Sequence, residues 1–594
     1  MLIRNEFKPY MAPRQEALQT VHKKNNTRLL TLMGIISLSF AGLAGYSFFV
    51  QSYNEAELNR LAADRVERSI SEPALRGTIL DRNGAVLAVS RPMLAPTFNP
   101  KAIFAPKQKG GEPNMRALSD KQYAGLAAAL DMPEDEVRAK LTNLSSGYVN
   151  FKTELTLEQA DAVRALNIPT LRFEARSERT YPYGNLFSHI VGFANNKGEG
   201  LEGLEHSQNK RLSGEDGRQM VLRDRHGNIV ELTDSPQNAP ARPGENIILS
   251  VDQEMQQLAR SELSAAVRHF NAKAGGVVVL DAQTGEILAM ASLPDYDANY
   301  YQQYPGENRR NYAVGVTMEP GSVMKPFVVA KALDEGKIGR NSWFNTRPYE
   351  LSGKTIKDTH LYPSLSTEGI LQKSSNVGTS RIAELFPNHE LHDYFEQIGF
   401  GRKTGSGVSG EQSAAIKPAN RWGRLDKAVM SYGYAITANL LQMAQGYTIF
   451  TTDGRLMPAT VFKQSGVPQG EQVIKPETAR MMREMMISVT RKGGTGQQGA
   501  IPGYDVAGKT GTAKKAGSSG YEEKYRASFV GFAPAKNPRL IVAVTIDEPR
   551  TRSYYGGTVA GPVFRNVMAG GLKHLGVKPT YAVTEEQTRY TAKR

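Results

Sequence analysis

From Leu29 to Val50 the chain reads LLTLMGIISLSFAGLAGYSFFV, 22 residues without a charge. At ~1.5 Å per residue this run crosses a hydrocarbon layer ~30 Å thick, so it predicts a spanning helix over 29–50. Residues 1–28 carry Arg4, Lys8, Arg14, Lys23, Lys24 and Arg28 against Glu6 and Glu16. That bias keeps 1–28 cytoplasmic and sends Gln51 onward across the membrane. The competing reading is a signal peptide cleaved near Gly42-Leu43-Ala44, but such peptides have an apolar stretch of only ~7–15 residues. A buried core helix is the other alternative, and the uncharged length beside a basic flank speaks against it.

Beyond the apolar run the pattern becomes short and alternating. Residues 77–80 and 84–89 read as strands around an Asn83-Gly84 turn, and 119–142 and 156–166 as helices. Ser235 to Gly244 (SPQNAPARPG) is rich in Pro and small polar residues, and a domain boundary is expected there. Residues 51–240 are then a mixed, elongated first domain. After the boundary, 276–281 and 286–291 flank Ala282-Gln283-Thr284-Gly285, a hairpin with Gly where a left-handed residue is needed. Residues 504–512, 527–532 and 540–546 read as three more strands, and 310–500 as mostly helix or loop. Strands at both ends with helices between predict an α+β domain over 245–573, one mostly antiparallel sheet covered by helices. The tail 574–594 is polar, basic and expected to be mobile.

Composition narrows the chemistry. With 594 residues, 40% hydrophobic and 22% charged, the chain is globular and long enough for at least two folding units. Its 73 basic against 59 acidic residues leave a net charge of +14, which favours phospholipid, nucleic acid or an acidic wall polymer without choosing among them. No Cys is present, so disulfides, thiolate metal sites, Cys nucleophiles and Cys-linked lipids are excluded. No cluster of His and acidic residues has metal-binding spacing, and no cofactor is called for.

Ser322 to Leu333 carries only Lys325 and Lys331 as charges, the mark of a buried helix. With Ser322 as its cap, Pro326 is the fourth helical residue, where the missing N–H has no partner to lose. Ser322 and Lys325, three apart, share a face. A desolvated Lys is pushed toward neutrality and can take a hydroxyl proton, making the Ser a nucleophile. Ser374-Ser375-Asn376 follows 52 residues after Ser322 and offers a hydroxyl and an amide on one loop; alone it reads equally as a helix cap. Lys509-Thr510-Gly511-Thr512 lies 187 residues after Ser322, at the end of an expected strand. There Gly511 permits close approach of a backbone or ligand, Lys509 adds charge, and the Thr hydroxyls suit a carboxylate. Gly508-Lys509-Thr510 lacks the upstream Gly of a phosphate loop. Gly493-Gly494-Thr495-Gly496 reads either as a cleft rim or a plain turn, and His189 and Trp422 as packing residues.

In order, these motifs match S-x-x-K, S-x-N and K-[ST]-G, and the sequence resembles the penicillin-recognising serine transpeptidases. The resemblance extends over about residues 70–570. Arg76 to Gly84 (RGTILDRNG), Arg179-Thr180-Tyr181-Pro182-Tyr183-Gly184 and Gly200-Leu201-Glu202 look like the non-catalytic signatures of class B penicillin-binding proteins, which belong to a pedestal of dimerisation type. The E-D-x-x-F-x-x-H-x-G signature of a glycosyltransferase domain is not found in 51–240. Glu319 to Ser322, Lys373 to Ser380 and Ala527 to Pro534 look most like the division-septum branch of Gram-negative type. The resemblance implies a D,D-transpeptidase that joins peptidoglycan stem peptides ending in D-Ala-D-Ala, with β-lactams as trapped inhibitors. It implies Ser322 as acyl-ester nucleophile, Lys325 as general base, and Ser374, Asn376 and Lys509 in proton transfer and substrate orientation. Thr510, Gly511 and Thr512 would bind the substrate carboxylate, with the backbone N–H groups of Ser322 and Thr512 as oxyanion hole. It further implies an inner-membrane, single-pass chain with a periplasmic catalytic domain, and a membrane-embedded glycan polymerase and other division proteins as partners, with no role for nucleic acid. Alternatives are a side-wall class B transpeptidase, a D,D-carboxypeptidase, and a non-enzymatic scaffold or β-lactam sensor.

Overall fold

A computed structural model describes residues 14–53, 67–106, 110–151, 153–223, 229–517 and 520–582. The expected cytoplasmic tail falls outside these over 1–13, and the C-terminal tail over 583–594. The N-terminal helix, Arg14–Tyr53, contains the expected span and outruns it at both ends. Within it Asn26–Gln51 is long and apolar enough to cross a membrane. Leu38, Phe40 and Phe48 are 76%, 70% and 71% exposed, an apolar surface suited to lipid.

The chain divides into two compact units, Met1–Glu72 with Asp216–Pro240, and Pro73–Glu215 with Ala241–Arg594. The first holds an antiparallel sheet of Glu67–Glu72, Gly217–Arg223 and Ile229–Leu232. The return to the second unit at Pro240–Ala241 falls inside the Pro-rich segment.

The second unit begins with β1 (Ile79–Leu80) and β2 (Val86–Phe98), antiparallel across a turn in which Gly84 has φ +91°. β2 also pairs with β3 (Arg172–Thr180), and β1 runs parallel to β4 (Ile247–Ile248). The sequence pattern marks a strand only over 84–89, short of Pro92 and Pro96. In the structure they lie within β2, opposite Ser177 and Phe173. Proline is tolerated in a strand where no ladder N–H is required. The expected helix 119–142 is two, α1 (Asp120–Leu130) and α2 (Glu134–Thr142), because Asp131 turns left-handed at φ +48° ahead of Pro133. With α3 (Leu157–Ala165) they pack Leu126, Val137 and Val163 around Phe98 and Phe151.

A five-stranded antiparallel sheet forms the rest of the unit, in the order β6–β5–β9–β8–β7. Its strands are β5 (Ala274–Asp281), β6 (Ile287–Leu293), β7 (Ala507–Gly517), β8 (Gly520–Ala533) and β9 (Leu540–Asp547). β5 and β9 are apolar throughout because both faces are covered. Val278, Leu280, Ile541 and Ala543 enter one core, and Val277, Val279, Val542 and Val544 the other. On the second face lie α4 (Gln253–His269), capped by Asp252, and the last helix α7 (Gly561–His574). On the first lie the helices of the 310–500 segment, including α5 (Lys325–Asp334) and α6 (Asn376–Ala383). This is the α+β architecture that the strand and helix pattern predicts.

Two boundaries depart from expectation. The strand expected over 504–512 begins at Ala507 and continues to Gly517, and its partner starts at Gly520 rather than Ala527. The added stem is polar (Lys514, Lys515, Glu522, Glu523, Lys524) and is held by main-chain pairing, so no apolar alternation announces it. The described start of the tail expected to be mobile is tied down: the Tyr504 hydroxyl donates to Val577 O at 2.6 Å, and Thr580 N–H to Gly503 O at 2.7 Å.

Candidate active site

Ser322 lies in a 3-10 turn, Gly321–Met324, that leads into α5. It is therefore not the helix cap, and Pro326 is the second residue of α5 rather than the fourth, still within the first turn where its missing N–H costs no bond. The turn is fixed from behind. Gly321 adopts φ +58° and its N–H donates to Gly433 O at 3.0 Å, while a Cβ on Gly433 would fall 2.1 Å from Gly321 O. The Tyr447 hydroxyl donates to Val323 O at 3.1 Å. Phe327 then packs against Phe400, Tyr447 and Phe450 at ring separations of 5.4–5.6 Å. Ser322 stays partly exposed on a rigid mount, and Lys325 one turn on is fully buried.

Ser374 ends the helix Thr367–Lys373 in a left-handed conformation, φ +59°, an uncommon state for a non-Gly residue that local bonds must maintain. Those bonds come from the next residues. Ser375 caps α6, accepting from Gly378 N–H at 2.9 Å, and donates its hydroxyl to Asp358 at 2.5 Å. The other Asp358 oxygen accepts Val377 N–H at 2.9 Å. Ser375 thus turns away toward Asp358, and Ser374 and Asn376 face the buried amines.

Lys325 Nζ lies 2.9 Å from Ser322 Oγ, 2.5 Å from Ser374 O, 3.0 Å from Ser374 Oγ and 2.8 Å from Asn376 Oδ1. Lys509 Nζ approaches Ser374 Oγ from the other side at 2.8 Å and donates to Thr510 O at 3.1 Å. Burial pushes Lys325 down to about 7, with the more distant charge of Asp358 acting in the opposite sense. Burial, then repulsion from Lys325, holds Lys509 well below the ordinary lysine range. A neutral Lys325 amine has two N–H groups and one lone pair. Ser374 O and Asn376 Oδ1 can only accept, so they take the two N–H groups and leave the lone pair for the Ser322 hydroxyl.

The five residues Ser322, Lys325, Ser374, Asn376 and Lys509 therefore form one bonded cluster. Gly511 lets β7 lie against the serine turn, where a Cβ would stand 3.1 Å from Pro320 O. The side chains of Thr510 and Thr512, on the opposite face of β7 from that of Lys509, do not bond to the side chains of the five. Thr510 Oγ1 meets Thr495 Oγ1 at 2.8 Å, and Thr512 Oγ1 accepts Gly556 N–H at 2.9 Å. Thr495 belongs to the Gly-rich segment that reads as rim or turn; in the structure this segment is a turn, and Thr495 within it contacts Thr510. Sequence reasoning missed Asp358, Gly433 and Tyr447; each acts through a loop or backbone contact with no local signal. His189 packs against Tyr296 and Trp422 against Phe395 and His392. The cluster offers amines, hydroxyls and an amide, a set suited to proton movement and acyl transfer rather than to holding a metal. Among the described residues, His392, Asp393 and Glu396 are the one group of ligating side chains within 4.8 Å of one another, and none of them bonds to the cluster.

The penicillin binding protein transpeptidase domain matches residues 275–569, and the penicillin-binding protein dimerisation domain residues 71–249. Over 586 residues the chain is 46% identical to the probable peptidoglycan D,D-transpeptidase PenA of Neisseria meningitidis, covering 98% of this chain and 99% of that one. It is 35% identical over 571 residues to the peptidoglycan D,D-transpeptidase FtsI of Escherichia coli K12, covering 95% and 94%. Against the probable peptidoglycan D,D-transpeptidase PbpC of Pseudomonas aeruginosa it is 33% identical over 561 residues, covering 94% and 97%.

Proposed function

Because this chain belongs to the penicillin-binding peptidoglycan D,D-transpeptidases, we propose that it cross-links stem peptides at the division septum through an acyl ester on Ser322. The observation that carries this reading is the position of Lys325: buried, without a carboxylate in contact among the described residues, and 2.9 Å from Ser322 Oγ.

In the first half-reaction Ser322 Oγ attacks the carbonyl carbon of the penultimate D-Ala while its proton passes to Lys325 Nζ. The carbonyl oxygen becomes an oxyanion facing the backbone N–H groups of Ser322 and Thr512. Losing one such donor costs ~2.7–4 kcal/mol in comparable sites. Breaking the C–N bond releases the terminal D-Ala, and Ser374 Oγ, between the two amines, passes a proton to the departing nitrogen. Thr510 and Thr512 hold the terminal carboxylate, Gly511 keeps β7 close to the serine turn, Asn376 orients the peptide, and Lys509 donates to Ser374 Oγ and holds it in place for proton transfer. In the second half an amine of a neighbouring stem attacks the ester, gives up its proton along the same route, and regenerates Ser322. The energy comes from the D-Ala-D-Ala bond, so no nucleotide is required. A β-lactam acylates Ser322 by the same path, but its ring leaves no fragment to depart.

The apolar helix anchors the catalytic domain in the inner membrane, and the basic flank of 1–28 places that domain in the periplasm. Residues 51–240 serve as the non-catalytic pedestal and 245–573 as the transpeptidase domain, with a membrane-embedded glycan polymerase and other division proteins as partners. The septal role rests on the segments around Ser322, Ser374 and Ser528; depletion that yields filaments supports it, and round cells overturn it. The chemical test is intact-mass spectrometry of the full-length chain in detergent with benzylpenicillin. The expected result is one adduct per chain, mapped to Ser322 and absent from Ser322→Ala; an adduct retained by that variant overturns the assignment.

A further inference from the structure

Arg76 and Arg483 are both buried, 5% and 9% exposed, and they are satisfied differently. Arg76 meets Glu205 at 2.5 Å. Arg483 donates Nη1 to two neutral carbonyls, Phe450 O at 3.0 Å and Thr452 O at 3.1 Å. Among the described residues no carboxylate oxygen comes within the 4.0 Å of an ion pair with it. A buried charge without a paired carboxylate is costly, and burial draws this guanidinium below the usual arginine range, with the more distant charges of Asp453 and Glu484 acting in the opposite sense.

Arg483 lines a cleft of about 550 Å³ between the β5–β6 and β8–β9 connections. Gln283 ties these walls together, donating to Thr451 O and Pro538 O at 3.0 Å each. Arg455 and Lys536 stand exposed at the cleft, and Asp453 is its one acidic residue. Three cations against one carboxylate leave two positive charges, and two of the cations are guanidinium groups, whose flat fork fits the paired oxygens of phosphate.

We propose that this cleft is a binding site for a dianionic phosphate group, held by Arg483 from below and by Arg455 and Lys536 at its mouth. The volume exceeds that of free phosphate, so there is room for a diphosphate or a substituted phosphate. The site is separate from the serine cluster. Thr512 pairs with Ala527, six residues before the end of β8 at Ala533, which at ~3.4 Å per residue puts the β8–β9 connection about 20 Å away along the strand.

The test uses the full-length chain in detergent micelles, titrated at constant ionic strength with inorganic phosphate, pyrophosphate, malonate and a short-chain phosphatidate, with binding read by calorimetry and thermal midpoint. Arg455→Gln/Lys536→Gln alters only exposed side chains, and unchanged penicillin labelling certifies its fold. The expected result is a saturable rise in midpoint with pyrophosphate, and affinity weakened about tenfold or more in the double variant. A response to phosphatidate but not to free phosphates, lost in the same variant, supports the site and assigns it to a lipid headgroup. An equal response to malonate overturns the phosphate assignment. Absence of saturable binding, or binding unchanged in the double variant, overturns the site.

Discussion

In the dimerisation region, Arg76 and Arg179 converge on the two oxygens of Glu205 at 2.5 and 2.7 Å, whereas at the serine cluster the buried Lys325 and Lys509 meet, among the described residues, only hydroxyls, carbonyls and an amide. Arg76 Nη1 donates further to Gly198 O, Asn209 Oδ1 and Ser213 Oγ and Arg179 Nη1 to Gly77 O, while Arg179 Nη2 is buried without a hydrogen-bond partner among the described residues, and Glu205 is wholly buried. A cation given a carboxylate in low dielectric stays charged and becomes a fixed cross-link. A lysine denied one is driven toward its neutral form and becomes a base. The same desolvation thus accompanies a brace in one place and a reagent in the other: a guanidinium keeps its proton in either setting, so a buried lysine without a carboxylate partner is the group that can become a base.

The contrast breaks most severely if the brace loses its anion. Glu205→Gln leaves two guanidinium groups buried beside a neutral amide, at an expected cost of about 3–5 kcal/mol, measurable as a fall in the unfolding midpoint while any folded fraction still labels with penicillin. The converse change installs a carboxylate at the reagent. Asn376→Asp places an anion where Oδ1 now lies 2.8 Å from Lys325 Nζ. It should raise the lysine by about 1–3 pKa units and slow acylation at neutral pH by a similar number of decades, and stopped-flow acylation at several pH values separates this from misfolding because rate should return as pH rises. In the unaltered protein Lys325 titrates near about 7 and acts as base only when neutral. Acylation should therefore fall about tenfold per pH unit below that point and level off above it; a flat profile from pH 5 to 8 removes Lys325 as the base. The smallest expected effect is at the Gly-rich turn: Thr495→Val removes the bond to Thr510 Oγ1 and should weaken substrate capture by about 0.5–1.5 kcal/mol, read as a rise in KM with little change in kcat.

The two regions were unequally legible in the sequence. The serine site announces itself because its chemistry rests on short fixed spacings, Ser322 to Lys325 and Ser374 to Asn376, that any reader can align. What holds those spacings in place was hidden: Asp358 fixes Ser375 from a loop 17 residues earlier in the chain, and Gly433 abuts Gly321 across more than a hundred residues. In the brace, the sequence marks Gly200-Leu201-Glu202 as part of a non-catalytic signature and gives no sign of which glutamate meets the arginines. Glu202 lies 3.5 Å from Arg309, and Glu205, one helical turn further on, receives Arg76 and Arg179. Two similar Gly-x-Glu steps in succession cannot be told apart until the chain is folded. The core strands β5 and β9 were plain from their unbroken apolar runs, whereas the polar stem of β7 and β8, held by backbone bonds, carried no hydrophobic signal.

The parallel pairing of β1 with β4 also governs when the chain can fold. Ile79 meets Ile247 and Thr78 N–H bonds to Asn246 Oδ1, contacts 168 residues apart. At a synthesis rate of roughly 5–20 residues per second, β1 waits on the order of 10–30 s for its partner to exist. Throughout that interval its hairpin with β2 has an open edge, and the arginines of the brace have no Glu205 until late in the same stretch. Nascent chains halted before residue 245 should therefore be protease-sensitive over 73–215, and chains halted after about 290, with room for the ribosomal tunnel, should be resistant.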